Sequence, residues 1–581
     1  MTEVGTHSYA NQTVTPKPRL WIGAVILLLL WSIRTAAVLL FPGRMERFLT
    51  LIYAPVVGFL ATLIWWVGFG RFSRFNRIWV PVYFFVCLGL FWFLKHPSTK
   101  LVFAYYVLLS LVTFWLIFTL LFGRDQSSRF LSRGLLVGFI VILGAWCLCR
   151  FEGLNGAANV ELAWRWGQTA EQRFMAGLRN DANGATPGAA LISASSGDFT
   201  GFRGAFRDGR ISGQNIRTDW DKTPPKQIWK HRIGPGWGSM AVIGDRLYTQ
   251  EQRAEKEAVV CYSAETGKQI WIHEDGTRFD EEIAGAGPRA TPTFDDGKIY
   301  AFGAKGILNC LDAATGSVIW TRNISKEFEV EPQMWGFCAS PLVTHGLVTV
   351  ITGKPGKSVA AFNAKTGQPA WAVGDGWSYG STHFAKIDGV ELIITITADG
   401  MFANDPTTGK AIWDYKWSMP TGANRVVQPA ILDGNDLLIG GAFGVGTRRI
   451  HFSRNGEKWN TGDLWTTRKF NPYYNDFVIH NGHLYGFDNT VFACVNLDKG
   501  VGKWRSHDYG AGQVLLLADQ DVLIIAAETG EVALVDAKPD AHHEIGRFQA
   551  IDGKTWNHPV VAHGKLFVRN GTEIAAYDVR K

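Results

Sequence analysis

The sequence predicts an all-β eight-bladed β-propeller, preceded by an α-helical transmembrane domain of about five helices. Three observations predict this fold class. Residues 1–150 are crowded with Leu, Val, Phe and Trp, whereas the rest of the chain is rich in Gly, Asp and Thr. A short run that ends in Trp recurs along this second part. Between its copies lie pairs of short apolar strands that are joined by a turn.

Five apolar segments fit membrane-spanning helices, because a helix needs about 20 apolar residues to cross the hydrocarbon core. They are Leu20–Phe41, Leu49–Phe69, Ile78–Leu94, Leu101–Phe122 and Gly134–Cys149. The last segment is short, and an alternative start for it lies near Phe130. A cleaved signal peptide is not favoured, since the apolar segments continue beyond the first one and no small-residue cleavage site follows it.

The orientation of these segments follows from the Lys and Arg residues of the short loops, which are enriched on the cytoplasmic side. Eight of these residues lie on the side of the N-terminus and five on the opposite side. We therefore expect a multi-pass protein of the bacterial inner membrane with a cytoplasmic N-terminus. Five crossings then place everything after Arg150 in the periplasm.

Arg34 is a charge within the first apolar segment. We favour the interpretation that its side chain snorkels toward the membrane interface. The alternative is a buried charge that serves a lipid headgroup or a quinone site.

The chain between the two parts is predicted to be a linker with a structured lead-in. The predicted anchor, linker and propeller are residues 1–150, 151–225 and 226–581. Within the linker, Thr169–Leu178 predicts a short helix, with Thr169 as its cap and Gln172 at the capping-box position. We interpret the run Gly201–Arg210, "GFRGAFRDGR", as a lead-in that packs on a domain edge. The alternative is an anion-binding loop.

The recurring run reads "CLDAATGSVIW" in one copy and "CYSAETGKQIW", "AFNAKTGQPAW" and "ANDPTTGKAIW" in others. Its final aromatic residue returns after about 39–52 residues. These aromatic residues are Trp229, Trp271, Trp320, Trp371, Trp413, Trp465 (with Trp459 as a rival), Trp504 and Phe548. A period in the forties with four short antiparallel strands per unit is typical of propeller blades, so eight units predict eight blades.

Each part of the run has a predicted structural role. Thr-Gly predicts a tight turn between the third and fourth strands, in which Gly supplies a positive φ. An upstream polar residue such as Asp312, Asn363 or Asp405 is expected to cap this turn. The Trp lies on the fourth strand and is expected to cover the sheet face between neighbouring blades. Trp229 has no preceding strands of its own, so we expect it to close the ring with the last strand, "TEIAAYDVRK".

Charge and cysteine content exclude two classes of function. The net charge is +7, but the basic residues are scattered and form no run, so no nucleic acid is expected as a partner. Seven cysteines occur without CxxC or CxxCH spacing. We therefore expect neither a zinc ribbon, nor a haem-c attachment, nor a disulfide framework.

The Trp-ending repeats resemble the tryptophan-docking motif of quinoprotein propellers, a PQQ-like repeat family that includes the pyrroloquinoline-quinone (PQQ) dehydrogenases. The resemblance covers about residues 200–581. Five helices followed by such a propeller also resemble the layout of membrane-bound PQQ glucose dehydrogenase, in which electrons pass to ubiquinone. The family also contains non-enzymes, such as the propeller lipoprotein of the outer-membrane barrel-assembly machinery. The fold resemblance therefore does not imply an activity.

A PQQ dehydrogenase needs Ca²⁺ with oxygen ligands, a carboxylate general base, and a flat pocket with an aromatic floor and cations for the PQQ carboxylates. Candidates lie just before the first strand of each blade, where the blades point into the central funnel. They are Trp237, Arg289, Trp335, Tyr379, Arg425, Asp476, Gln513, Trp556 and His558. The predicted cofactor-binding residues among them are Trp237, Arg289, Trp335, Arg425 and Trp556.

Trp237 or Trp335 would form the floor, although ordinary packing is favoured for every aromatic candidate. Asp476 in "NPYYND" is the predicted general base, and Asp375 is the second choice. The run Asp280–Gly285 has the ligand types that Ca²⁺ prefers, but we interpret it as a solvated loop. No metal ligands are therefore assigned.

Three functions remain open on the sequence alone. The first is a membrane-anchored binding or scaffold module with a periplasmic protein partner. The second is a PQQ- and Ca²⁺-dependent alcohol or sugar dehydrogenase that passes electrons to membrane quinone. The third is a sensor or transport component that uses the helices.

Overall fold

The computed structural model describes residues 17–41, 45–100, 102–124, 127–156, 159–178 and 192–581. They divide into two compact units. We call Met1–Glu152 with Val160–Gly167 the helix unit, and Gly153–Asn159 with Gln168–Lys581 the propeller unit.

Within the described residues of the helix unit, five helices are long and apolar enough to cross a membrane, two of them together with a π-helical turn, which confirms the predicted number. They are α1 (Leu20–Leu40), α2 (Met45–Ile64), α3 (Arg74–Leu94), α4 (Leu108–Phe122) and α5 (Ser128–Cys147). Two π-helical turns, Trp65–Phe69 and Phe103–Val107, extend α2 at its end and α4 at its start.

The structure corrects some helix starts. Helix α5 begins before the predicted Gly134 and close to the alternative start near Phe130, because Ser127 caps it: the Ser127 Oγ accepts the Phe130 amide at 3.2 Å. Helix α3 begins before the predicted Ile78 for the same reason, with the Ser73 Oγ accepting the Asn76 amide at 3.2 Å. Each start is a Ser cap followed by an Arg and a further polar residue near it, so a search for apolar residues alone places the start too late.

In the order of the chain, a two-stranded sheet and a short helix follow α5 and precede the blades. The elements are β1 (Cys149–Leu154), β2 (Val160–Trp164) and α6 (Ala170–Leu178). Helix α6 has the predicted capping box: Thr169 Oγ1 accepts the Gln172 amide at 3.0 Å, and Gln172 Oε1 accepts the Thr169 amide at 2.9 Å.

Eight sheets, each with four antiparallel strands, form the propeller as predicted, and one of them has a fifth, parallel strand. The strands that precede blade 1 are β3 (Arg210–Ile211) and β4 (Lys226–Arg232). Blades 1 and 2 are β5 (Ala241–Ile243), β6 (Arg246–Arg253), β7 (Lys256–Ser263), β8 (Gln269–Asp275), β9 (Thr293–Asp295), β10 (Lys298–Phe302), β11 (Ile307–Asp312) and β12 (Val318–Asn323), followed by α7 (Ile324–Phe328). Blades 3 and 4 are β13 (Leu342–Thr344), β14 (Leu347–Lys354), β15 (Lys357–Asn363), β16 (Pro369–Val373), β17 (His383–Ile387), β18 (Val390–Thr397), β19 (Gly400–Asn404) and β20 (Ala411–Lys416).

The second half of the ring repeats this order. Blades 5 and 6 are β21 (Ala430–Leu432), β22 (Asp436–Gly441), β23 (Gly446–Asn455), β24 (Lys458–Thr467), β25 (Val478–His480), β26 (His483–Asp488), β27 (Val491–Asn496) and β28 (Gly502–Ser506). Blades 7 and 8 are β29 (Gly512–Leu517), β30 (Val522–Ala527), β31 (Glu531–Asp536), β32 (Glu544–Gln549), β33 (Val560–Ala562), β34 (Lys565–Arg569) and β35 (Glu573–Asp578), with β4 as the fourth strand of blade 8. The ring closes there as predicted, with Trp229 opposite Ala576.

Most of the repeated Trp residues bond to the next blade, whereas the Trp413 indole has no hydrogen-bond partner among the described residues. The Trp320 indole donates to the carbonyl of Ala364 in blade 3 at 3.0 Å, and its ring lies against Gly367. The same indole bond to the next blade is made by Trp229, Trp271, Trp371, Trp465 and Trp504. Trp465 rather than its rival Trp459 makes this bond in blade 5.

The turns before Trp320, Trp371 and Trp413 are capped as predicted. Asp312 Oδ1 accepts the Thr315 amide at 2.8 Å. Asn363 and Asp405 accept the corresponding amides of their own turns.

The strands of each blade alternate in direction, so the propeller has two faces that carry different loops. We call the face with the loops that precede the first strands the funnel face, and the opposite one the turn face.

Candidate functional site

A belt of hydrogen bonds joins the residues that precede the first strands of neighbouring blades. The Ser239 amide donates to Thr291 Oγ1 at 2.9 Å, and the Thr291 amide donates to Ser340 Oγ at 2.9 Å. The Ser340 amide in turn donates to Ser381 Oγ at 2.8 Å. Between blades 1 and 8, Ser239 Oγ donates to the carbonyl of His558 at 2.7 Å. At the first three of these boundaries, a side-chain oxygen two residues before the first strand therefore accepts a hydrogen bond from a backbone amide of the preceding blade.

Asp476, the predicted general base, takes this belt position in blade 6. Its Oδ1 accepts the Gln428 amide of blade 5 at 2.6 Å. The carboxylate also lies 3.6 Å from Arg203 Nη1 and 3.4 Å from His558 Nε2, and the residue is only 3% exposed. Burial opposes its ionisation, but Arg203, His558 and the Gln428 amide outweigh burial and lower the pKa of Asp476. The carboxylate is therefore ionised and held by protein groups.

The lead-in Gly201–Arg210 lies on the axis of the ring, not on a domain edge. It and the adjacent Thr200 contact residues at or near the start of the first strands of blades 2, 4, 6 and 8, which are Phe294, Thr382, Phe477 and His558. Only a segment on the axis reaches blades on all sides of the ring. The segment leaves at blade 7, where β3 pairs in parallel with β29. We call Phe199–Ile211 the axial plug.

Arg207 holds the axial plug in place. Its guanidinium is buried and donates to the carbonyls of Thr382 at 2.8 Å, Ser340 at 3.3 Å and Pro341. Burial lowers the pKa of Arg207 to about 9. Nearby His383 stays neutral, because burial, then Arg207 and Arg203, lower its pKa to about 3. The bound carbonyls exclude the anion-binding alternative for this arginine, since they already use its donors.

Aromatic side chains line the mouth of the funnel face. Trp237 and Trp556, both predicted to bind cofactor, lie together with ring centroids 5.0 Å apart. Tyr474 adds a third ring, 5.2 Å from Trp556. Lys554 Nζ lies 4.8 Å from the Trp556 ring centroid and 5.6 Å from that of Trp237. The Trp556 indole donates to Glu528 Oε1 at 2.7 Å. We call these five residues the aromatic mouth.

An extended segment of the propeller unit is bound at the aromatic mouth through its backbone. The Leu154 amide donates to the carbonyl of Ile283 at 2.9 Å, and Lys554 Nζ donates to the carbonyl of Leu154 at 3.0 Å. The Gly156 amide donates to Glu528 Oε1. Lys554 and Glu528 therefore bind main-chain groups of this segment.

Arg289 forms a buried ion pair. Its Nη2 lies 3.0 Å from Glu281 Oε1, and the two side chains are 7% and 9% exposed. Arg289 also donates to the carbonyls of Gly285 and Gly287, and its guanidinium lies 4.6 Å from the Phe279 ring centroid. Glu281 belongs to the acidic run that was interpreted as a solvated loop. It is instead half of this pair and caps the amides of its own loop.

Arg425 is bound by carbonyls as Arg207 is. It is 1% exposed and donates to the carbonyls of Thr397 at 3.1 Å, Ala398 at 3.3 Å and Trp417. Burial lowers the pKa of Arg425 to about 10. Its positive charge is therefore bound by carbonyls at the ends of β18 and β20.

The remaining candidates have structural surroundings. Trp335 is half-buried and packs against the core that contains Tyr379, and the Cys338 thiol donates to its carbonyl at 3.2 Å. Gln513 is buried, and its Nε2 donates to the carbonyls of Tyr474 at 3.2 Å and Trp556 at 3.1 Å. The structure thus brings Trp237 to Trp556 and Asp476 to His558, and gives Arg289, Arg425 and Trp335 separate environments.

The residues at the funnel do not fit a PQQ–Ca²⁺ site. PQQ carboxylates need cationic donors that are free, whereas Arg289 and Arg425 are bound by Glu281 and by backbone carbonyls. A base needs an accessible carboxylate, whereas Asp476 is buried in the belt. Across the part of the chain that the structure describes, no three His, Cys, Asp or Glu side chains are grouped to hold a metal ion.

Sequence reasoning missed Arg203, Arg207, Lys554 and Glu528 as binding groups. The signal for the arginines was present in the alternation of Arg and Gly in "GFRGAFRDGR". No local signal marks Lys554 or Glu528, because each acquires its role from a segment that is distant in sequence.

Comparison with known proteins finds relatives of the propeller. A family model described as outer membrane protein assembly factor BamB matches residues 255–506. BamB of Shewanella oneidensis is 23% identical over 366 residues, which are 59% of this chain and 86% of the relative. A polyvinylalcohol dehydrogenase of a Pseudomonas species is 27% identical over 285 residues, 41% of this chain and 44% of the relative.

A solved structure shows the same fold. A europium-containing methanol dehydrogenase superposes with a TM-score of 0.50 at 12% identity, and the match covers 66% of this chain and 98% of the dehydrogenase. The chain is thus an eight-bladed β-propeller preceded by apolar helices, and its propeller is similar in sequence to outer membrane protein assembly factor BamB and to polyvinylalcohol dehydrogenase. The resemblance of these helices to the anchor of glucose dehydrogenase stays a prediction.

Proposed function

We propose that the protein is a binding or scaffold module, anchored in the bacterial inner membrane by α1–α5, with its propeller in the periplasm. One observation carries this proposal: the polar groups that a dehydrogenase would direct at substrate and cofactor are bound here by the protein itself. Asp476 accepts the Gln428 amide, and Arg289 is paired with Glu281. The similarity to BamB, an assembly factor by name, supports the proposal.

The aromatic mouth is the proposed contact surface for a periplasmic protein partner. Aromatic rings provide a large apolar area with little conformational freedom to lose, which suits protein recognition. Lys554 and Glu528 already bind an extended main chain in this structure. Met334, on the loop that precedes β13, adds an apolar side chain that is 56% exposed on the same face.

Cross-linking from the funnel face tests the contact surface. A photoreactive residue placed at Met334 should capture a discrete protein in living cells. The matched control is Val501, which is 57% exposed in the turn before β28 on the turn face. Equal capture from both positions, or none from Met334, would contradict the proposed surface.

A binding titration separates the scaffold from the dehydrogenase. Full-length protein in detergent is titrated with PQQ in the presence of Ca²⁺, and binding is followed by absorbance. We expect no saturable binding, because the arginines and the carboxylate of the funnel are already bound. Saturable Ca²⁺-dependent binding, followed by dye reduction with an alcohol or a sugar, would establish the dehydrogenase instead. The polyvinylalcohol dehydrogenase match keeps this alternative open.

The proposed orientation has its own test. A phosphatase reporter that is active only in the periplasm is fused after Arg124 or after Lys581. We expect activity at Lys581 and none at Arg124, because the loop between α4 and α5 lies on the side with more Lys and Arg. The reverse pattern would overturn the orientation and leave the fold unaffected.

A further inference from the structure

Arg34 turns its charge into the helix unit. The residue is 7% exposed, and its Nη1 donates to the carbonyl of Leu51 on α2 at 2.6 Å. Its guanidinium lies 5.9 Å from the ring centroid of Tyr105. This differs from the favoured expectation that the side chain snorkels outward. The head group is instead enclosed by α1, α2 and the π-helical turn before α4.

The positive charge of Arg34 is not matched by a carboxylate among the described residues. Among the residues that the structure describes, no carboxylate lies within ion-pair distance of Arg34, and its polar contact is a neutral carbonyl. An uncompensated charge in an apolar helix bundle is costly, and such residues in proteins are normally paired. The Leu51 carbonyl uses only one of the five N–H groups that a guanidinium carries.

Tyr105 gives a second, independent indication of a ligand. The residue is 2% exposed, and its buried hydroxyl has no hydrogen-bond partner within the described residues. Tyr105 lies in the π-helical turn Phe103–Val107. Such turns are frequent at functional sites, because the wider turn changes the direction of side chains. An unpartnered hydroxyl and an unpaired guanidinium are therefore neighbours in the same interior.

We propose that Arg34 and Tyr105 bind the phosphate of an anionic phospholipid whose acyl chains lie along the helices. A phosphate supplies the missing negative charge and accepts from both the guanidinium and the hydroxyl. A neutral quinone carbonyl would accept these bonds but leave the charge uncompensated. Arg34 precedes the last residue of α1 by six positions, or about 9 Å, a depth that a headgroup drawn toward an arginine can reach.

This inference rests on the proposed membrane anchoring, so the test begins with membrane fractionation of every variant. R34Q removes the charge and Y105F removes the hydroxyl. The matched control is R74Q, which removes an exposed arginine at the start of α3. Each protein is purified in a mild detergent, depleted of loosely bound lipid, and examined by native mass spectrometry and phosphorus analysis.

We expect wild type and R74Q to retain a tightly bound phospholipid. R34Q should lower its retention about tenfold or more, as the loss of a charge-assisted hydrogen bond implies, and Y105F should lower it less. Y105F keeps the proposal falsifiable if R34Q fails to accumulate. Adding inorganic phosphate to delipidated protein distinguishes a lipid phosphate from a free one.

Three outcomes would overturn the inference. They are equal phospholipid retention by all four proteins, saturable binding of inorganic phosphate in place of lipid, and co-purified quinone that R34Q alone releases. Absence of the wild-type protein from the membrane fraction would instead overturn the anchoring. The two failures are therefore distinguishable.

Discussion

Asp476 Oδ1 accepts the backbone amide of Gln428 at 2.6 Å, across the boundary between blades 6 and 5. Ser381 Oγ accepts the Ser340 amide at 2.8 Å at the equivalent boundary between blades 4 and 3. The carboxylate that the sequence predicts as a general base thus accepts the same inter-blade hydrogen bond as a serine hydroxyl elsewhere in the ring. Its negative charge is matched to Arg203 of the axial plug.

This relationship predicts that Asp476→Asn destabilises the propeller at neutral pH. The amide keeps an acceptor for Gln428 but leaves Arg203 buried without a counter-charge, a loss of about 3–5 kcal/mol. The free energy of unfolding, measured by denaturant titration, checks this. Asp375→Asn is the matched control, because Asp375 is an exposed aspartate. Equal effects of the two substitutions would contradict the structural role.

The same pair predicts an acid dependence. The pKa of Asp476 is lowered below its ordinary value of 3.8. A carboxyl with a depressed folded-state pKa contributes stability above the unfolded-state pKa and loses it as the pH falls through the folded-state pKa. Wild-type stability should therefore fall below about pH 3.8, and Asp476→Asn should lack this component of the fall.

Arg207→Met should destabilise the propeller strongly. It leaves the carbonyls of Thr382, Ser340 and Pro341 without their donor in a buried site, at a cost of about 1–3 kcal/mol for each group left unpaired. The matched control is Arg210→Met in the same segment, where the side chain is exposed and the expected change is within about 0.5 kcal/mol. A denaturation midpoint equal to that of wild type would show that the axial plug is dispensable.

Gly367→Ala should reveal two separate costs. The residue has φ 71°, and an added Cβ would lie 2.7 Å from the Trp320 ring. Gly434→Ala is the matched control, since Gly434 has φ 76° with no atom within 4 Å of an added Cβ. We expect about 1–2 kcal/mol for Gly434→Ala from the backbone alone, and about 1–3 kcal/mol more for Gly367→Ala from crowding. Equal losses of unfolding free energy would mean that the Trp ring yields without cost.

Glu257 should make the propeller less stable as the pH rises. Burial raises the pKa of Glu257 from 4.5 to about 8. The folded state therefore holds a proton that the unfolded state releases, so the free energy of unfolding falls between these two values. Glu257→Gln should remove this component of the slope, whereas Glu255→Gln at an exposed position two residues earlier should not. A slope that Glu257→Gln leaves unchanged would contradict the burial of an ionisable group there.

Local patterns in the sequence were sufficient for the fold. The spacing of Trp320, Trp371 and their equivalents is the length of one blade of four short strands. Because each blade packs against its neighbour, the same residues recur in each repeat and can be recognised in the sequence. The five helices could also be predicted from the sequence, because crossing a hydrocarbon layer requires a minimum length of apolar residues. Helix starts such as Ser127 were missed because a polar cap lies outside the apolar run.

Only the tertiary structure decided what the funnel residues do. Asp476, Arg289 and Arg425 have the residue types of a catalytic site, but their partners Gln428, Glu281 and Thr397 were not recognised from local sequence. Ring closure and the axial plug bring groups together over hundreds of residues, as when Arg203 reaches the carbonyl of Phe477. A buried charge in the ring is bound by the groups that the fold places beside it. These neighbours are distant in sequence, so local sequence patterns do not predict them.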